Sequence, residues 1–181
     1  MNSANGNGDR PAPFAPYIVT AELPADVFGW CDRLRRTHFP PERNHLAAHV
    51  TLFHALAPSL LDEIRRVLAR IAGEHAPVPG RITGLIDLGG GTAIALASPA
   101  MLAIHAAIAE HFHGALTAQD RHARKLHVTI QNKVDRAAAK ALQAELAPLI
   151  VPRDFVFTGF GLHIYRGGPW EAAGRWPFRG R

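Results

Sequence analysis

The chain carries one six-residue pattern twice, first as Ala48-His49-Val50-Thr51-Leu52-Phe53 and again as Leu126-His127-Val128-Thr129-Ile130-Gln131. Both copies place apolar residues around a histidine and a threonine, and runs of apolar and β-branched residues favour strands. Side chains of a strand alternate between its two faces, so each histidine shares a face with the threonine two residues on. The repeat predicts two similar strands, each with an imidazole and a hydroxyl on one face and an apolar face behind.

Two histidines on opposite sides of a cleft suit general acid–base catalysis. Near neutral pH one imidazole accepts a proton while the other donates one. In-line attack on phosphorus uses such a pair, because one group deprotonates the attacking oxygen and the other protonates the leaving oxygen. The hydroxyls of Thr51 and Thr129 would hydrogen-bond the phosphoryl oxygens between them. We therefore predict that His49, Thr51, His127 and Thr129 are catalytic.

The segments around the two motifs follow the same order twice: strand, helix, histidine strand, helix, strand. We predict strands at 17–22, 47–55, 81–88, 92–97, 125–131 and 155–165, helices at 25–38, 59–74, 99–113 and 136–146, a polar loop at 118–124 and a last edge strand within 167–181. This internal duplication predicts an α+β fold with two lobes related by a pseudo-two-fold axis. The two histidine strands would then lie side by side at a central cleft, with the helices on the outer faces.

The composition indicates a folded, basic chain. It has 181 residues, 48% of them hydrophobic, and a net charge of +5. This apolar fraction is enough for a core, so we expect a single bilobal domain at 14–181 after a disordered tail at 1–13. The positive charge favours anionic partners such as RNA, nucleotides or phosphates.

The cysteine content and the hydropathy pattern bear on the compartment. Cys31 is the only cysteine, so an intrachain disulfide is excluded, and a reducing compartment fits. No apolar run approaches the ~18–20 residues of a membrane span, and residues 1–13 lack the apolar core of a secretion signal. We expect a cytoplasmic monomer with no membrane partner.

No metal or cofactor site is predicted. His45 with His49, and His111 with His113, have spacings that metal ligands use. However, His45 lies in a predicted loop, and no set of carboxylates or thiolates with zinc spacing accompanies these pairs. The glycines at 89–91 are not followed by the Lys-Ser/Thr of a phosphate-binding loop, which favours a hairpin turn there.

The paired His-x-Thr motifs, their spacing and the duplicated element order resemble the two-histidine phosphoesterase superfamily. Within it, the chain is most similar to the bacterial 2′-5′ RNA ligase and cyclic phosphodiesterase family, over roughly residues 14–180. The resemblance implies a bilobal fold in which antiparallel sheets meet at a central groove. It also implies metal-independent hydrolysis of the 2′,3′-cyclic phosphate ends of RNA or nucleotides to 2′-phosphates.

The resemblance also implies roles for the motif residues. His49 would be the general acid and His127 the general base. The first motif continues as Phe53-His54, where the family commonly has an apolar residue and then glycine, so the substrate preference stays open. Two alternatives also remain open: a 2′-5′ ligase acting on tRNA fragments, and a protein that binds RNA ends without turnover.

Residues next to the motifs are candidates for substrate binding. Phe53 and Gln131 continue the catalytic face by the period of two, and Phe53 would either stack on a base or fill the cleft floor. Arg124 and Lys125 lie in the basic loop before His127. They would either steer RNA phosphates or be ordinary solvated loop residues.

The end of the chain offers a second group of candidates. The run Leu162-His163-Ile164-Tyr165-Arg166 resembles the family's final core strand, which ends near an aromatic residue and an arginine. We therefore predict that Tyr165 and Arg166 bind substrate. Trp170 would border the groove or pack in the core.

Overall fold

The computed structural model describes residues 15–121 and 125–181, and within them the predicted duplicated order is present. The strands are β1 (Tyr17–Glu22), β2 (Val50–Leu56), β3 (Val78–Asp87), β4 (Gly91–Ala97), β5 (His127–Asn132), β6 (Arg153–Phe157), β7 (Gly159–Ile164) and β8 (Glu171–Pro177). The helices are α1 (Ala25–His38), α2 (Leu61–Glu74), α3 (Pro99–His111), α4 (Ala118–Arg121) and α5 (Arg136–Leu146). The disordered tail predicted at 1–13 and the basic residue Arg124 lie outside the described residues.

The eight strands form two antiparallel sheets of four strands each. Sheet A has the order β2-β1-β7-β8, and sheet B has the order β5-β4-β3-β6. The two sheets correspond strand for strand, and the histidine strands β2 and β5 occupy equivalent edges. These two edges contact each other, so the predicted α+β fold with two antiparallel sheets is confirmed.

The chain passes from sheet B to sheet A at Thr158, which corrects the single long strand predicted at 155–165. β6 belongs to sheet B and β7 to sheet A. The Thr158 amide donates to the carbonyl of Glu22, and the Thr158 carbonyl accepts from Phe178, so this residue already pairs with sheet A. Gly159 allows the close approach, because a Cβ there would lie 2.3 Å from the carbonyl oxygen of Trp176. The apolar periodicity continued through the crossover and did not reveal it.

The predicted start of one strand and one predicted loop also differ from the structure. β3 begins at Val78, three residues before the strand start predicted at 81. Pro79 is tolerated because β3 pairs there with β6 alone, and its pairing with β4 starts at Arg81. The polar loop predicted at 118–124 contains the one-turn helix α4.

The apolar faces of both motif strands enter one hydrophobic core. Val50, Leu52, Val128 and Ile130 are all fully buried. The helices cover these faces, and α2 contributes an apolar stripe that includes Ile64 and Leu68. The opposite faces of the two strands, which carry the histidines and threonines, are left partly accessible.

Both motif strands contain a bulge directly after the threonine. On β2, Thr51 and Phe53 pair with adjacent residues of β1, so the residue between them is extra. On β5, Thr129 and Gln131 pair with adjacent residues of β4 in the same way. A bulge re-aims the side chains that follow it. The duplication therefore extends to the backbone irregularity, which the sequence pattern did not predict.

Candidate active site

The two histidine rings are held in the same way. His49 directly precedes β2, and its Nδ1 lies 2.8 Å from the carbonyl oxygen of Ala47. His127 begins β5, and its Nδ1 lies 2.7 Å from the carbonyl oxygen of Lys125. A carbonyl only accepts hydrogen bonds, so each Nδ1 carries a hydrogen and donates it. Each Nε2 is thereby left as the ring atom that exchanges protons with a ligand.

The hydroxyls of Thr51 and Thr129 lie on the histidine side of their strands and are partly accessible. Across the two described segments, neither hydroxyl makes a hydrogen bond to a protein group. Each sits two residues after a histidine on the accessible face, as the period of two predicts. The two hydroxyls therefore remain able to donate to a bound anion.

Arg35 joins the two halves of the site. This residue of α1 is only 4% exposed, yet its guanidinium makes hydrogen bonds in two directions. Its Nε donates to the Oδ1 of Asn44 at 2.8 Å and to the Leu46 carbonyl at 2.9 Å, both in the loop before His49. One terminal nitrogen donates to the carbonyl of Thr129 on β5 at 2.7 Å. One side chain thus fixes the approach to the first motif against the strand of the second.

A second buried residue of α1 supports the same loop. Asp32 is 4% exposed, and its Oδ1 accepts from the backbone amide of Ala48 at 2.9 Å. The same carboxylate forms an ion pair with Arg36, one helical turn on. The residue before His49 is therefore anchored to α1 independently of Arg35.

The surroundings of His49 disfavour its protonated form. Burial of the ring in the cleft lowers the pKa of His49 to about 4, although the bond to the Ala47 carbonyl opposes this change. The positive charge of Arg35 lowers the pKa further, as do His163 and His127 when they are charged. His49 is therefore neutral at neutral pH, with Nε2 free to accept a proton.

A pocket of about 680 Å³ opens beside His49 on the accessible face of sheet A. Its polar floor comes from β1, β7 and β8, and includes Thr20, Glu22 and Arg175. The apolar part of its wall includes Phe28 and Trp170. This volume lies within the range of small-molecule sites, which are typically mainly apolar with a few placed polar groups.

Trp170 and His163 connect this pocket to His49. The ring centroid of Trp170 lies 4.5 Å from that of His49 and 5.3 Å from that of His163. His163 Nε2 is 3.1 Å from the hydroxyl oxygen of Thr20, which also donates to the Gly161 carbonyl at 3.4 Å. Trp170 therefore lies in the pocket, which favours the groove position over core packing.

Two predicted substrate-binding residues are buried, and these predictions are wrong. Phe53 is 0% exposed and stacks on His105 with ring centroids 4.5 Å apart. Gln131 is 8% exposed, and its amide oxygen accepts from the hydroxyl of Thr92 at 3.4 Å. The bulges after the threonines explain both errors, because the alternation from which they were predicted is interrupted there.

The other four predicted substrate-binding residues have different outcomes. Lys125 is exposed beside His127, and its carbonyl orients that ring. Arg124 is outside the described residues. Tyr165 is exposed but does not line the pocket, and Arg166 donates to Glu171 at 2.9 Å across the β7–β8 turn. The structure therefore gives no contact between Tyr165 or Arg166 and the histidines, and their role in binding stays a prediction.

Arg35 and His163 also belong to the site, and neither was predicted from the sequence. A signal for Arg35 was available, because Val27, Cys31 and Arg35 are spaced by four along α1 and all are buried. An arginine that continues an apolar helix stripe indicates a buried cation with dedicated partners. His163 lies two residues after Gly161 on β7, and only the neighbouring strands place it in the pocket.

His54 is part of a separate contact with Asp120. Its backbone amide and that of Ala55 each donate to the carboxylate of Asp120 at 3.0 Å. Its ring Nδ1 lies 3.1 Å from the same carboxylate, which is fully buried. These contacts attach the end of β2 to α4.

No three His, Cys, Asp or Glu side chains in the ranges 15–121 and 125–181 lie close enough together to hold a metal ion. None of the helices within those ranges has the length and hydropathy needed to cross a bilayer.

A sequence profile of the 2′-5′ RNA ligase superfamily matches residues 23–169, which include both motifs. The sequence has no significant match among curated proteins. Three solved structures share the fold over nearly their whole length. LigT of E. coli complexed with 3′-AMP has a TM-score of 0.63 and 16% identity, covering 91% of this chain and 98% of LigT.

The other two structures give similar values. TT0787 of Thermus thermophilus has a TM-score of 0.61 and 18% identity, covering 92% of this chain and 99% of its own. A structure described as a phosphoesterase has a TM-score of 0.56 and 20% identity, covering 91% of this chain and 98% of its own. At these identities the likeness establishes the fold, and the profile establishes the family.

Proposed function

This chain belongs to the 2′-5′ RNA ligase superfamily of two-histidine phosphoesterases, and we propose that it hydrolyses 2′,3′-cyclic phosphate ends of RNA or nucleotides to 2′-phosphates without a metal ion. One observation carries the proposal. Two histidines with matching Nδ1–carbonyl bonds lie at the starts of two edge strands that contact each other. Each is followed, two residues on, by a partly accessible threonine. A protein that only binds RNA ends does not need a second imidazole whose Nδ1 donates to a backbone carbonyl in the same way.

The reaction needs a water molecule and two protein nitrogens. The water oxygen attacks phosphorus while the bond between phosphorus and the 3′-oxygen breaks, leaving the phosphate on the 2′-oxygen. One Nε2 takes a proton from the water, and the other Nε2 gives its proton to the departing 3′-oxygen. Proton exchange with solvent then restores the starting protonation states. The threonine hydroxyls donate to the phosphoryl oxygens that carry the negative charge.

The charges around His49 support one allocation of the two roles. His49, with a pKa of about 4, is neutral in the free protein and takes the proton from water. His127 then supplies the proton to the leaving oxygen. This assignment reverses the roles that the family resemblance implied, in which His49 was the acid. The reason is local, because Arg35 and burial both disfavour an imidazolium at His49.

Thr51→Val and Thr129→Val should each lower kcat/KM by about tenfold to a hundredfold. Each change removes one hydrogen bond to a charged oxygen, worth about 1.5–3 kcal/mol, at nearly constant volume. Steady-state rates on a cyclic-phosphate substrate give the measurement, and Thr37→Val on exposed α1 surface is the control. Equal rates for both motif variants and wild type would show that the hydroxyls do not touch the phosphate.

The proposed function is tested with a short RNA that ends in a 2′,3′-cyclic phosphate, incubated with the purified protein and excess chelator. The expected product is the 2′-phosphate, resolved from the 3′-phosphate by chromatography. Unchanged RNA would contradict the proposal, and a 3′-phosphate would place the two histidines on the wrong sides of the ring. Addition of an RNA with a 5′-hydroxyl end tests for a ligase, whose product is a longer strand joined 2′-5′.

A further inference from the structure

The floor of the pocket beside His49 contains one glycine that polar side chains cover. On β7, Gly161 lies between Thr20 of β1 and Arg175 of β8 in the pairing register. A Cβ at Gly161 would lie 2.5 Å from Glu22 Oε1, 2.6 Å from Thr20 Oγ1 and 2.9 Å from His163 Nε2. Three polar atoms from different side chains therefore lie together over Gly161, and any larger residue there would displace them.

The far side of this floor combines both signs of charge. Glu22 reaches past β7 to Arg175, and its Oε2 accepts from the guanidinium at 2.6 Å. A carboxylate has about four acceptor positions and this contact uses one, so Oε1 still has acceptor capacity toward the pocket. The Arg175 side chain is 75% exposed, so its other N–H groups are accessible at the rim. The floor thus offers an acceptor beside several donors.

The opposite wall is suited to a planar ring. Phe28 and Trp170 line the pocket, and Trp170 contacts the ring of His49. A nucleoside whose phosphate lies at His49 would therefore extend its base along an aromatic wall. Base–aromatic stacking does not distinguish the bases, so any selection comes from the polar floor.

We propose that this pocket is a base-recognition subsite that prefers guanine. Guanine presents two neighbouring N–H donors, at N1 and N2, which a carboxylate such as Glu22 accepts. It also presents the acceptors O6 and N7, the pair that an arginine recognises in nucleic acids. Adenine and cytosine each offer a single exocyclic amine, and uracil offers one ring N–H. Guanine is the base that matches both Glu22 and Arg175.

The proposal rests on the proposed function for the position of the phosphate, but binding tests it without turnover. The four nucleoside 2′,3′-cyclic monophosphates are compared as substrates, and the four nucleoside 2′-monophosphates are compared by isothermal titration calorimetry. We expect the guanine compound to be favoured by at least about tenfold in both series, the size of one well-placed bidentate contact. Equal values for the four bases in both series would overturn the proposal.

Two variants show which residues select the base. Glu22→Gln and Arg175→Gln should each bring guanine to within about twofold to threefold of adenine. Glu171→Gln is the matched control, because Glu171 also pairs with an arginine but lies outside the pocket. A guanine preference that survives both pocket variants would overturn the assignment to Glu22 and Arg175.

The outcomes separate this proposal from the proposed function. Guanine-selective binding without hydrolysis of any cyclic nucleotide or RNA end would contradict the phosphodiesterase and support the subsite. Hydrolysis of all four cyclic nucleotides at the same efficiency, with equal binding, would support the phosphodiesterase and overturn the subsite.

Discussion

His49→Ala and His127→Ala are each expected to lower kcat/KM on a 2′,3′-cyclic phosphate by about 10²–10⁴-fold, the usual contribution of a positioned acid or base. Each change removes the only Nε2 that serves one side of the phosphorus in the proposed mechanism. Neither histidine ring packs in the hydrophobic core, so the fold should survive. The measurement is a steady-state rate for each variant, with thermal unfolding recorded on the same samples.

The control for this prediction is His113→Ala. His113 is exposed in the turn after α3, and its replacement should leave the rate within about twofold of wild type. Full activity in either motif variant would contradict the acid–base mechanism. A folded variant that loses binding but keeps kcat would assign that histidine to substrate binding alone.

His49→Ala and His127→Ala should also differ in the pH dependence of kcat/KM. The pH profile of kcat/KM reports the groups of the free enzyme, so a neutral base with a pKa of about 4 sets an acid limb near that pH. His49→Ala should abolish this acid limb, and His127→Ala should leave it in place. The opposite pattern would restore the roles implied by the family resemblance.

Much of the fold could be predicted because the hydrophobic pattern and the repeated motif follow the same periods. The strand of β1 and the helix of α1 have the predicted bounds, and both motif strands bury their alternate apolar residues. The motif residues themselves were identifiable because one His-x-Thr pattern occurs twice in matched surroundings. Two copies of a short motif constrain the architecture where one copy would not.

The positions of the side chains predicted to bind substrate could not be read from the sequence, for a physical reason. Phe53 and Gln131 were placed by extending an alternation of two, but a bulge follows each threonine and both side chains turn into the interior. A bulge depends on the pairing of two strands and leaves no mark in one strand's own sequence. The pocket has the same origin, because β1, β7 and β8 meet only in the folded sheet.

The change at Arg35 is expected to affect both geometry and charge. Arg35→Met should lower kcat by about a hundredfold, because the loop before His49 loses its link to the Thr129 carbonyl, and misplacement by about 1 Å has that effect. It should also move the acid limb of kcat/KM to higher pH. The cation disfavours the protonated imidazole, so its removal raises the pKa of His49. Burial, the larger cause, remains, so the limb stays below the ordinary histidine value.

Arg35→Lys separates the two effects. Lysine keeps the positive charge but lacks the planar fork that donates to Asn44, Leu46 and Thr129 together. The acid limb should therefore remain where it is in the wild type, while kcat falls. Arg33→Met is the matched control, because Arg33 is an exposed arginine of the same helix. Its rate and its pH profile should both stay close to wild type.

The comparison of these variants decides what Arg35 does. A merely structural arginine would lower the melting temperature and the fraction of active protein in both variants, but it would not move the acid limb in one and leave it in the other. The shift is therefore read from pH profiles of folded protein, with samples returned to neutral pH to confirm that activity recovers. An acid limb at the same pH in Arg35→Met and wild type would show that Arg35 does not tune His49. Its three hydrogen bonds would then account for its role in positioning alone.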